Sequence, residues 1–331
     1  MRVSLIVNGG SGLAEIAATA RAAEQAGLAS VWGTEFYDRS APVSLAAMAQ
    51  ATERIGLGSA IAYAFGRTPV VLAAEARDLD ELCGGRLVLG LGTGTRRMQQ
   101  DWHGLDGEHP ASRMEELVPL VRALLRLHEG PVDHDGRFYR LHVHPTAPVA
   151  PPLRTDLPIY MAGVNPRMIE AAGRVADGLV GHPLFTPEYV REVARPALAK
   201  GAERAGRDRD VPIAGYLTCS VNADRAAARD AARAVVAFNS TVKTYRVVHR
   251  LHGFEDRAER IRERWLAGDF AAAVREVDDE MLDTIALAGT ADEVRERFAQ
   301  RWEGVYEHTL LWPPAFGGMD AVHAVIDAFA T

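Results

Sequence analysis

Three short stretches carry residue types that could do chemistry. The first is Thr34-Glu35-Phe36-Tyr37-Asp38-Arg39. Its carboxylates suit general acid–base work, although carboxylates of this kind are equally common on plain surfaces. The second is Gly90-Leu91-Gly92-Thr93-Gly94-Thr95. Glycines at a strand end let the backbone approach a flat ligand closely, and they also simply build loops. The third is Ala162-Gly163-Val164-Asn165-Pro166. Small residues ahead of a helix leave backbone N–H groups open, and those groups together with the helix dipole bind phosphate. An ordinary cap by Asn165, with Pro166 in the first turn, explains the same stretch. Trp32, Tyr63, Phe65 and Trp102 are candidates for lining a planar-cofactor pocket or for plain core. Histidines stand at 128, 134, 142 and 144. His142 and His144 are spaced to share a strand face, but no third ligand has a fixed spacing and no metal site is expected.

These stretches need elements to hold them. Short apolar runs alternate with amphipathic helical stretches along most of the chain. Strands are expected over 3–7, 30–32, 56–61, 86–91, 159–161, 178–181, 212–221 and 308–312. Helices are expected over 13–26, 43–53, 69–82, 114–128, 166–175, 188–205, 290–302 and 321–329. A small excursion over 131–140 contains Asp135-Gly136, a type I′ hairpin signal. Residues 224–285 look wholly helical, an insertion ahead of the last unit. Eight strands alternating with helices imply a parallel sheet, and eight units favour a closed (β/α)8 TIM barrel over a doubly wound sheet. Asn8-Gly9-Gly10-Ser11-Gly12 imitates the phosphate turn of a doubly wound fold, but no acidic residue ends the second strand in a GxGxxG context. The chain thus reads as one domain over 1–331 with a helical insertion at 224–285. In a barrel, chemistry sits where strands end, which is where the three stretches fall.

Composition narrows the classes. Of 331 residues, 48% are hydrophobic and 24% charged, with a formal net charge of -7. That balance is globular and gives no footprint for nucleic acid or a membrane surface. The N-terminal apolar run is too short for a signal peptide, and no run approaches the roughly 18 apolar residues of a membrane helix. Cys83 and Cys219, without metal-type spacing, favour a reducing cytoplasm.

The run Leu82-Cys83-Gly84-Gly85-Arg86-Leu87-Val88-Leu89-Gly90-Leu91-Gly92-Thr93-Gly94 resembles the "LSGGRFxLGLGxG" signature of the luciferase-like monooxygenase superfamily. Gly104-Leu105-Asp106 with Arg113-Met114-Glu115-Glu116 is similar to its next loop and helix start. Ala171-Ala172-Gly173-Arg174-Val175-Ala176-Asp177-Gly178 resembles its "AGxxADG" segment, and Ala288-Gly289-Thr290-Ala291-Asp292-Glu293-Val294 its "GTPEEV" segment. The branch resembled most uses the deazaflavin coenzyme F420, and FMN-dependent monooxygenases come second. The resemblance implies hydride transfer between F420 and a small organic substrate. Its alternatives are an FMN monooxygenase fed by a separate flavin reductase, or a non-catalytic flavin-binding protein. It implies a cofactor contacting Thr34, Ala60, Ile61, Ala62, Thr93, Gly94, Thr95, Ala162 and His182, with its phosphate near Gly163, Val164 and Asn165. It also implies a non-proline cis peptide at Ala60-Ile61, backing the ring, and a homodimer. The family often has a histidine after the acid that ends the second strand. Here Phe36 stands there, which leaves proton handling to Glu35, Tyr37 or a histidine elsewhere. The insertion, with Phe238, Tyr245, Phe254 and Trp265, is expected to cover the substrate.

Overall fold

The computed structural model describes residues 3–7, 12–314 and 318–331. Asn8-Gly9-Gly10-Ser11, the imitation of a phosphate turn, lies outside the described residues. Eight staves close a barrel in which every neighbouring pair is parallel. They are β1 (Val3–Val7), β2 (Ser30–Gly33), β3 (Gly56–Ser59) with its continuation β4 (Ala62–Tyr63), β5 (Leu87–Gly92), β8 (Ile159–Ala162), β9 (Gly178–Val180), β10 (Ile213–Val221) and β12 (His308–Trp312). Register closes the ring: Val3 lies opposite Thr309 on one side of β1, and Leu5 opposite Val31 on the other. β1 and β10 are buried along their whole length. That is why these strands read as unbroken apolar runs: one face meets the barrel interior and the other meets the helices. The fold is therefore an α/β TIM barrel.

The third stave departs from the expected single strand. β3 stops at Ser59, the Ala60–Ile61 peptide is cis, and β4 resumes with Ala62 and Tyr63 opposite Leu91 and Gly92 of β5. The excursion is the antiparallel pair β6 (Val132–Asp135) and β7 (Arg140–Val143). Its turn is not the expected type I′ at Asp135-Gly136. It spans residues 136–139, closed by Gly136 N–H to the Tyr139 carbonyl, and the Glu116 carboxylate accepts the N–H groups of Arg137, Phe138 and Tyr139. A long-range carboxylate thus replaces local turn chemistry. Asp133 takes both His142 and His144 at 2.8 Å. Among the described residues no group of three His, Cys, Asp or Glu is placed to hold a metal ion, and no helix is long and apolar enough to cross a membrane.

Two elements were not anticipated. The helix Arg96–His103 is capped by Thr95, whose hydroxyl accepts Met98 N–H, and stopped by Gly104 in the left-handed region. β11 (Leu287–Gly289) lies outside the ring, against Cys219–Val221 of β10. Between β10 and β11 run five α-helices: Arg225–Ser240, Arg246–Leu251, Glu255–Leu266, Phe270–Arg275 and Asp279–Ile285. Asp224, Asp269 and Asp278 cap three of them by accepting backbone N–H groups of the first turn.

Candidate active site

A cavity of about 690 Å³ opens at the C-terminal ends of the staves. Its volume is in the range of small-molecule sites. Ala60, Ile61, Thr93, Gly94, Thr95, Ala162, Gly163, Val164, Asn165 and His182 all line it. So ten of the fourteen residues singled out in the sequence meet in one place. Thr34, Glu35, Tyr37 and Ala62 do not line it. Ala62 is buried in β4, behind the surface. Thr34 turns its hydroxyl to the Val7 carbonyl at 3.5 Å.

The bonding of Glu35 and Tyr37 leaves neither in position for proton transfer in the cavity. Glu35 is almost fully buried, and its carboxylate accepts Tyr63 N–H at 2.6 Å and both terminal nitrogens of Arg67 at 2.6 and 2.8 Å. Arg67 also pairs with Glu75 at 2.8 Å. Burial alone would lower the Arg67 guanidinium, but the Glu35 and Glu75 partners outweigh it and hold it up. Tyr37 is 74% exposed and packs only at the rim, with ring centroids 4.4 Å from Phe36 and 5.4 Å from Trp102.

The glycines of β5 answer mainly to protein. A Cβ on Gly90 would collide with the Ser59 carbonyl, and one on Gly92 with the Ile61 side chain. Gly94 takes φ +66, a conformation that suits glycine. Two of the three glycines therefore make room for the broken third stave, and the ligand gains only indirectly. At the end of β8 the backbone is more open. Asn165 caps the helix Pro166–Val175 by backbone conformation alone, with no side-chain cap. Its side chain instead donates to the Thr244 carbonyl at 3.2 Å.

The opposite wall holds His182, beyond the end of β9. Leu184 N–H donates to its Nδ1 at 3.2 Å, which assigns the ring proton to Nε2. Burial, aided by the nearby His249 ring, pushes His182 down to about 3, so it stays neutral at physiological pH. Tyr245 lies over it with ring centroids 3.9 Å apart. Tyr245 itself is pushed up to about 12 by burial, and Tyr63 is also raised, first by burial and then by the Glu35 charge. Both phenols therefore keep their protons.

The insertion contributes less than expected. Only Thr244 and Tyr245 reach the cavity. Phe254 is buried core, Phe238 packs with Trp265, and Trp265 packs with Phe270. Sequence reasoning missed Tyr216, Gln99, Arg96 and Arg167, all of which line the cavity. The helix carrying Arg96 and Gln99 was signalled by Thr95 and Gly104. Nothing local marks Tyr216, which sits mid-strand in β10.

The cavity suits a planar group with an anionic tail. Ala60, Ile61 and Val180 supply an apolar floor, Gly163 leaves a space that a Cβ would narrow to 3.0 Å from Met168 Cγ, and the uncapped helix N-terminus opens beside it.

Known proteins place the chain. The luciferase-like monooxygenase family matches residues 2–308. An uncharacterised protein of Mycobacterium tuberculosis is 34% identical over 330 residues, covering 96% of this chain and 95% of that protein. The 5,10-methylenetetrahydromethanopterin reductase of Methanolobus tindarius is 33% identical over 287 residues, covering 86% and 85%. The solved structure of the coenzyme F420-dependent tetrahydromethanopterin reductase from Methanopyrus kandleri superposes with a TM-score of 0.84 at 27% identity, covering 100% of this chain and 97% of that one. The chain therefore belongs to the luciferase-like monooxygenase family and is an oxidoreductase of that class.

Proposed function

We propose that the chain is an F420-dependent oxidoreductase moving a hydride between the reduced deazaflavin and a small organic substrate. The observation that carries this is the cavity at the C-terminal ends of the staves, with Ala60 and Ile61 in its floor, in a chain alike over its full length to an F420-dependent reductase. When bound, the deazaflavin supplies a hydride at C5. The N–H groups of Val164 and Asn165 would hold its phosphate, beside Gly163, whose own N–H donates to the Val180 carbonyl at 3.4 Å. Ala60, Ile61, Thr93, Gly94, Thr95 and Ala162, which line the cavity, would hold the rest of the cofactor. His182, neutral and carrying its proton on Nε2, would donate a hydrogen bond into the cavity. A neutral imidazole is a good fixed donor and a poor acid, so His182 polarises its partner and keeps its proton.

Fluorescence titration with reduced F420 and, separately, with reduced FMN tests the assignment. Tighter binding of F420 is expected. Tighter binding of reduced FMN would move the chain to the monooxygenase branch and require a separate reductase. We also propose a homodimer through the early helices, where Val43, Val70 and Val71 are exposed. Sedimentation should give twice the 35.9 kDa chain mass, and a single species at the chain mass would refute it.

A further inference from the structure

The segment 60–63 forms part of the cavity wall but has little ladder of its own. β4 is two residues long, and the join to β5 is partly made by a side chain. Ser59 Oγ donates to the Gly90 carbonyl at 2.8 Å and accepts Gly90 N–H at 2.9 Å. Backbone bonds hold the segment at Ala60 N–H to the Gly33 carbonyl and Ala64 N–H to the Gly92 carbonyl, and two side chains distant in sequence add an anchor at each end. At one end the Tyr216 hydroxyl, from β10, donates to the Ala60 carbonyl across the barrel mouth. At the other end Tyr63 N–H donates to Glu35, from beyond β2, at 2.6 Å. Arg67 fixes that carboxylate with two further hydrogen bonds and is itself fixed by Glu75. A carboxylate accepting three short hydrogen bonds in a buried site has little capacity left for proton transfer, and strong directional bonds make it a precise anchor.

We propose that Glu35 is a positioning residue: with Arg67 on one side and Tyr216 opposite, it sets where the Ala60–Tyr63 wall stands, and hence how the cofactor ring is seated. Glu35 never touches the reacting atoms. It acts through the Tyr63 backbone, and Tyr216 acts through the Ala60 carbonyl. The two anchors hold opposite ends of one short segment, so their effects are coupled. The inference rests on the cofactor reading above.

The test uses the full chain and four variants: Glu35→Ala, Glu35→Gln, Tyr216→Phe and the double variant Glu35→Gln with Tyr216→Phe. F420 and FMN are titrated against each, with melting temperature and the absorption maximum of the bound chromophore recorded. Glu35→Gln keeps an oxygen for Tyr63 N–H but loses the charge and turns an NH2 toward Arg67, so its affinity should fall between wild type and Glu35→Ala. Tyr216→Phe removes only a hydroxyl and should weaken binding of the preferred cofactor about tenfold, the scale of one lost hydrogen bond, with a shifted absorption maximum. Glu35→Ala should do at least as much, and the double variant should fall by more than the product of the single losses. Unchanged affinity and spectrum in folded Tyr216→Phe and Glu35→Ala would overturn the inference while leaving the cofactor reading intact. Should Glu35→Ala fail to fold, Tyr216→Phe and the double variant decide alone. Wild-type protein binding neither cofactor would instead overturn the cofactor reading, and with it the seating role.

Discussion

The two walls of the cavity are built on different principles. On the side of β2 to β5 the polar groups are committed to one another: Glu35 to Arg67 and Tyr63 N–H, Ser59 to Gly90, with glycines where neighbours press closest. On the side of β8 and β9 the polar groups are left over: a helix N-terminus without a side-chain cap, and His182 with Nε2 free of any protein partner among the described residues. The first wall spends its hydrogen bonds on shape. The second keeps them for a ligand. The lesson is that residue type marks a candidate, and the partner it finds in the fold decides its role.

Substitutions on the first wall should therefore cost stability and reach binding only by shifting the wall, and those on the second should cost binding directly. The largest effect is expected for Gly90→Ala. Its new methyl meets a backbone carbonyl, which cannot rotate away, so a loss of about 3 kcal/mol is expected. Thermal unfolding would show a drop of roughly 4 °C. A variant as stable as wild type would mean the first wall is softer than its bonding suggests.

Gly163→Asp comes next, on the second wall. A carboxylate placed at the proposed phosphate end should weaken cofactor binding about 100-fold, near 2.7 kcal/mol, while the melting temperature falls less than in Gly90→Ala, because the new Cβ meets its neighbours at 3.0 Å or more. Unchanged affinity in a folded variant would remove the phosphate assignment.

A third, smaller effect concerns the histidines behind the second wall. His249 is buried with both ring nitrogens unpartnered among the described residues. Burial first, then the His252 charge, push it down to about 4 against the opposing pull of Glu255. Its folded pKa thus lies below its unfolded value near 6.5, as does that of His182. Between those limits the unfolded chain binds protons that the folded chain refuses, so stability falls as pH drops from about 6.5 toward 4. His249→Leu should gain about 1 kcal/mol at neutral pH by removing unpaired polar atoms, and should flatten the denaturation slope between pH 7 and 5. An unaltered slope would show that His249 does not titrate as described.

The smallest effect is expected for Tyr37→Ser. The side chain is exposed at the rim, so stability should change by no more than about 0.5 kcal/mol and cofactor affinity should hold. A tenfold fall in turnover in the intact fold would restore Tyr37 to the chemistry and blur the contrast between the walls.

Much of this was legible in one dimension. Alternating apolar runs and helical stretches point to a parallel sheet because each run must be buried on both faces and each helix on one, and the count of eight units favours its closure into a barrel. Proline at helix starts and glycine at strand ends marked where units join, so Pro69–Leu82 and Pro166–Val175 were read with their observed bounds. The grouping of Thr93, Gly163 and His182 in one cavity follows from the barrel alone, since all follow staves at the same end.

Tertiary structure alone decided what those residues do. Glu35 has an acid's chemistry in any sequence, but Arg67 lies 32 positions away, and only folding brings its fork onto the carboxylate. Tyr216 is one buried residue among nine in β10 until barrel closure points its hydroxyl at Ala60. The glycines of β5 look ligand-directed until Ser59 and Ile61 press against them. Periodicity is a local property, set by backbone geometry that each residue carries with it. Hydrogen-bond partnership is a property of two residues brought together, and burial makes it strong enough to fix a role.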